Sequence, residues 1–123
     1  MNILLLEDDL ELSAVASEQI ESRGHKVVPA VDIEGARAII EDDNIPIDIL
    51  IADHLLPDGN GSQFALQTKS EPRGIQVVVV SGQLNDSDIK ELDANHVGHY
   101  HKPSLYSEIV EDVIQKYFPD TER

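Results

Sequence analysis

The amino-acid sequence predicts an α/β protein: a doubly wound parallel sheet of five strands with five helices packed on its two faces. Three observations carry this reading. Five short apolar runs alternate with five stretches of helical periodicity. Two of the runs, Ile49-Leu50-Ile51-Ala52 and Val77-Val78-Val79-Val80, are unbroken and rich in β-branched residues, as strands covered on both faces are. The 123 residues suit one domain, and no repeat or low-complexity segment divides them.

Each element follows in order. Ile3–Leu6 is the first strand, and Leu12, Val15, Ala16 and Ile20 recur at helical spacing before Gly24, a good helix stop. Lys26–Ala30 is the second strand. Asp32 can cap the helix that carries Ala36, Ile39 and Ile40. Ile47–Ala52 is the third strand, and a helix with Phe64, Ala65 and Thr68 follows Gly61. Gln76–Val80 is the fourth strand, and Asp86 or Ser87 can cap a short helix with Ile89 and Leu92. Gly98–His101 is the fifth. Ser104 can cap a last helix with Ile109, Val110, Val113, Ile114 and Tyr117, and Pro119–Arg123 reads as a frayed end or truncated linker. Right-handed crossovers between parallel strands give a doubly wound three-layer sandwich.

Composition narrows the function. Nine basic residues against 24 acidic ones leave a formal net charge of −15. A basic footprint for nucleic acid is missing, and anionic membranes would repel the chain. Without cysteine there is no thiol nucleophile, thiolate metal site or disulfide. No apolar run approaches the roughly 20 residues that span a bilayer, and the N-terminus lacks the basic and long apolar regions of a signal peptide. The expectation is a cytoplasmic acidic globule.

Ligands of open α/β sheets bind beyond the carboxyl ends of the strands. Here those ends carry Glu7-Asp8-Asp9, Asp53, Ser81-Gly82 and Lys102-Pro103. Crowded carboxylates repel, and a divalent cation with hard oxygen ligands, magnesium best of all, relieves the repulsion. Asp53, alone at the end of a buried central strand, is the natural nucleophile toward a phosphoryl group. Glu7 and Asp8 form the pair that a cation needs, and the Ser81 hydroxyl and Lys102 ammonium can share charge on the transferring oxygens.

The combination resembles the receiver domain of two-component response regulators, of the chemotaxis-regulator type, over essentially the whole chain. The residues that carry the likeness are "ILLLEDD" at Ile3–Asp9, "DILIADHLLPDGNG" at Asp48–Gly61 with its D-x-x-x-P-x-x-x-G loop, "VVVVSG" at Val77–Gly82 and "HYHKP" at His99–Pro103. The resemblance implies the flavodoxin-like strand order 2-1-3-4-5, and that Asp53 accepts a phosphoryl group from a histidine kinase or histidine phosphotransfer protein. It implies that Glu7, Asp8, Asp53 and the backbone carbonyl of Leu55 hold Mg2+, with Asp8 the more direct ligand of the pair. Ser81 would hydrogen-bond a phosphoryl oxygen, Lys102 would bridge to it, and the Lys102-Pro103 bond would be cis. Ser81 and His99 would form a switch acting through helix four, strand five and helix five, a face that could also pair two copies. Asp9, one position past the pair, reads as a helix N-terminal acid. His25, His54, His96 and His101 lack ligand spacing and read as surface or satisfied histidines.

Two rivals share the topology or the chemistry. A haloacid-dehalogenase-type aspartyl-phosphate hydrolase needs an acid two residues after the nucleophile, and Leu55 stands there. A flavodoxin-like electron carrier needs a hydroxyl- and glycine-rich phosphate loop after strand one, where this chain has three acids. The expectation is one receiver domain over residues 1–123, without an output module.

Overall fold

The computed structural model describes residues 1–119. The reading of the tail from Asp120 onward lies outside them. The main sheet contains β1 (Asn2–Leu6), β2 (Lys26–Ala30), β3 (Ile49–Ala52), β4 (Gln76–Val80) and β5 (Gly98–Tyr100), all parallel and ordered β2-β1-β3-β4-β5. The helices are α1 (Leu10–Glu21), α2 (Ile33–Glu41), α3 (Gly61–Lys69), α4 (Asp86–Ala94) and α5 (Tyr106–Tyr117). Leu55–Leu56 and Gly59–Asn60 pair as a small antiparallel ribbon between β3 and α3.

Strand periodicity sorts the core into two halves. Leu4, Leu6, Leu50, Ala52, Val77 and Val79 face α2, α3 and α4, meeting Ala36, Phe64, Ala65 and Leu92. Ile3, Leu5, Ile49, Ile51, Val78 and Val80 face α1 and α5, meeting Ala16, Ile20, Val110, Val113 and Ile114. Successive residues of one strand therefore serve opposite layers, which is why β1, β3 and β4 read as continuous apolar runs. Among the described residues no helix is long and apolar enough to cross a membrane.

The structure corrects several local readings. Asn85, one residue earlier than expected, caps α4 in a reciprocal box with Asp88, whose side chain bonds the Asn85 backbone. Ser104 does not cap α5, because its hydroxyl donates to the His101 carbonyl. Leu105 occupies that cap position, and the Tyr106 N–H instead finds the Gln19 side chain of α1 at 2.9 Å. Val15 is exposed, since the buried stripe of α1 runs through Ser13, Ala16 and Ile20. Tyr117 is exposed as well. The third strand is shorter than its apolar run: Ile47 is buried outside the ladder, and the Asp48 carboxylate accepts from Asn2 N at 2.7 Å. The fifth strand stops at Tyr100, before the chain turns toward Lys102.

Candidate functional site

The sheet ladder continues one residue past three strands, and that extra bond fixes the site. Glu7 N donates to Ala30 O, Asp53 N to Leu6 O and Ser81 N to Tyr100 O, each at 3.0 Å. Parallel strands end at one edge, so these residues arrive together although 28 to 46 positions separate their neighbours in sequence.

At the centre, the Lys102 Nζ donates to Glu7 Oε1 at 2.7 Å and to Asp53 Oδ2 at 3.1 Å. Glu7 is 2% exposed, and its other oxygen accepts from Asp9 N at 3.0 Å. Burial raises the Glu7 carboxyl above its ordinary value against the opposing pull of Lys102. Burial also disfavours the charged ammonium of Lys102, but the two carboxylates outweigh it and push the group up to about 12. One carboxylate oxygen each of Glu7, Asp8 and Asp53 lies within 4.8 Å of the others. Asp8 is the exposed member. Asp9 stays out of this group and caps α1, accepting from Glu11 N and Leu12 N.

The loop after Asp53 is held tightly. Its Oδ1 accepts from His54 N at 2.7 Å. A Cβ on Gly61 would stand 1.7 Å from the Asp53 carbonyl oxygen, so α3 starts where only glycine fits. Gly61 N then donates to His54 O at 2.7 Å, and Asn60 caps the helix. Asp53, Leu55, Ser81, Gly82, Gln83 and Lys102 line an open cleft of about 390 Å³. The Ser81 hydroxyl faces it while accepting from Gln83 N at 3.1 Å. The Lys102-Pro103 peptide bond is cis.

The histidines divide. His99 on β5 is partly exposed and lies 2.9 Å from Asp93 of α4. His54 is buried; its Nδ1 is 2.7 Å from the Ser62 hydroxyl and its Nε2 3.4 Å from Asp88 of α4. His25 is buried beside the Met1 amino group, and His96 and His101 are exposed. Sequence reasoning passed over His54 as a link between the loop after Asp53 and α4. The only clue was a hydroxyl residue directly after Gly61.

The family description "response regulator receiver domain" matches residues 3–114. The chain belongs to that family. Among curated relatives of this receiver domain, the swarming motility regulation protein RssB of Serratia marcescens is 26% identical over 92% of the chain and 51% of its own length. The KDP operon transcriptional regulatory protein KdpE of Escherichia coli is 29% identical over 83% of the chain and 44% of its own. The chain thus spans about half the length of these relatives, or less. A receiver domain from Methanospirillum hungatei superposes with a TM-score of 0.84 at 20% identity, covering 98% of this chain and 96% of that one. The phosphorylated cyanobacterial phytochrome response regulator RcpA superposes at 0.74 with 27% identity, covering 95% and 93%.

Proposed function

We propose that this receiver domain takes a phosphoryl group onto Asp53 from a histidine kinase or histidine phosphotransfer protein and thereby switches a protein partner. The observation that carries the reading is the convergence of Glu7, Asp8 and Asp53 with Lys102, at 2.7 and 3.1 Å, beside a cleft that Ser81 also lines. A carboxylate oxygen of Asp53 attacks phosphorus, the donor's P–N bond breaks, and the new P–O bond leaves an acyl phosphate on Asp53. Lys102 can shift its ammonium from Asp53 Oδ2 to a phosphoryl oxygen without leaving Glu7. Ser81 can exchange its bond from Gln83 N for one to the phosphoryl group.

The donor set suits magnesium, since it consists of hard oxygens at least one of which is open to solvent. Glu7, Asp8, Asp53 and the Leu55 carbonyl would hold the ion, whose positive charge would screen the phosphoryl oxygens from these acids. With Leu55 two residues after Asp53 there is no second acid to turn the intermediate over, so the acyl phosphate persists as a signal. Residues 1–123 act as the receiver unit.

The switched surface is the face of α4, β5 and α5. In α4 the fully buried residue is Leu92, Ile89 is half-buried, and polar contacts add to the fastening. Gln63 of α3 reaches Glu91 at 2.7 Å, His99 reaches Asp93, and His54 stands against Asp88. Such contacts exchange with water at little net cost, so a few kcal/mol moves the helix. This face is also where two copies could pair. The direct test is mass spectrometry after incubation with acetyl phosphate and magnesium. The wild type gains one phosphoryl group and Asp53→Asn gains none; equal uptake by the variant refutes the assignment.

A further inference from the structure

Asp58 lies in the loop between Asp53 and α3, yet its carboxylate faces another element. Oδ1 accepts from Ile33 N at 2.9 Å and Oδ2 from Glu34 N at 3.0 Å. Those are the first two N–H groups of α2, which the helix cannot satisfy internally. Its own cap, Asp32, takes only the next one, Gly35 N, at 2.8 Å. Two capping carboxylates from distant segments therefore divide one helix start. The same turn passes close to α2: a Cβ built on Gly59, at φ +153°, would lie 3.1 Å from Ile33 Cδ1, tighter than ordinary contact.

The loop so pinned is the one that presents the Leu55 carbonyl. The ribbon pairs Leu55 with Asn60 and Leu56 with Gly59, so Asp58 sits in its two-residue turn. At the far end, Asn60 caps α3 and Gly61 is wedged under the Asp53 carbonyl. The ribbon is thus stretched between two helix N-termini, with Leu55 at its open end beside Asp53. We infer that Asp58 is a positioning residue for the cation site: by anchoring the turn to the start of α2, it holds the Leu55 carbonyl where a divalent ion bound by Glu7, Asp8 and Asp53 can use it. This role rests on the metal reading of the acidic cluster. The Asp58 carboxyl itself is exposed and its charged form is favoured by the Ile33 and Glu34 N–H groups, so the anchor stays ionised at neutral pH. Water can replace it at the helix start, because Ile33 and Glu34 are not fully buried. Losing Asp58 therefore disturbs the loop more than the fold.

The test is titration with magnesium chloride alone, followed by amide chemical shifts, on the wild type, Asp58→Ala and Asp58→Asn. Removing an outer support of a metal ligand weakens affinity, here by about tenfold in Asp58→Ala. Asn keeps one acceptor and lands between Ala and wild type. Amide exchange over residues 55–60 rises in Asp58→Ala, while the metal-free melting temperature changes little. Three results overturn the role. One is variants that match wild-type affinity within twofold. Another is equal weakening in Ala and Asn with a deficit that fades in high salt, which marks a distant charge effect. The third is weakening in proportion to lost protection throughout α2, which marks a structural defect. A wild type that binds no magnesium refutes the metal reading itself.

Discussion

Replacing Lys102 by Met tests whether the site is an electrostatic unit. In the wild type one ammonium serves two carboxylates, and Glu7, with a side chain 3% exposed, has no other cation within ion-pair reach among the described residues. Stripping one partner from a buried pair destabilises by about 3–5 kcal/mol. Solvent reaches this one, since the Lys102 side chain is 26% exposed and that of Asp53 12%. The expected loss is therefore smaller, about 2–3 kcal/mol at pH 7.5, or about 8–12 °C in melting temperature for a domain of this size. Its pH dependence has a definite sign. A carboxyl raised in the folded state keeps a proton that the unfolded chain releases, so stability falls as pH rises from about 4.5 through the raised value. Without Lys102 the Glu7 carboxyl rises further. Its protonated form is therefore more favoured at pH 5 than at pH 7.5, and the deficit of Lys102→Met is smaller at the lower pH. Urea unfolding followed by far-ultraviolet circular dichroism in chelator-treated buffer, at both pH values, measures this. An equal deficit at pH 5 and 7.5 would refute the reasoning, because the loss would then be packing alone.

Four further outcomes follow from the same geometry. The wild type gains stability from Lys102 that is complete below pH 10.5 and lost as pH rises toward about 12; alkaline unfolding of Lys102→Met lacks that step. Magnesium at a hundredfold excess over its Kd raises wild-type stability by about 2.7 kcal/mol in calorimetry, and Asp8→Ala blunts the gain while leaving the metal-free protein no less stable. Gly61→Ala puts a methyl against the Asp53 carbonyl and loses about 3 kcal/mol or more in urea unfolding. Beryllofluoride, a phosphoryl mimic, changes amide exchange across residues 81–102 in the wild type but only around Asp53 in Ser81→Ala; spread that survives loss of the hydroxyl dissociates Ser81 from the switch.

Much was legible without coordinates because the informative features are local. Val77–Val80 reads as a central strand because four apolar residues in succession must be covered on both faces, and the structure buries all four. Topology then brings the residues just past strands β1, β3 and β4 to one edge, so Glu7, Asp53 and Ser81 could be grouped from the order of elements alone. Asp9 was separable from the acidic pair because a residue just before a helical stripe has a capping role of its own.

The tertiary structure decided the pairings between segments. Lys102 and Glu7 are 95 residues apart, Gln19 and Tyr106 87, and Asp58 and Ile33 25. Each depends on which crossover lies beside which, and a side chain's reach of a few ångströms leaves no trace in sequence periodicity. The helix starts show the difference most plainly. A cap taken from the adjacent residue, as at Asp9 and Asp32, is written in the chain. The extra carboxylate on α2 and the borrowed amide on α5 exist because backbone N–H groups need acceptors wherever they stand, and packing alone determines which distant side chain is near enough to serve.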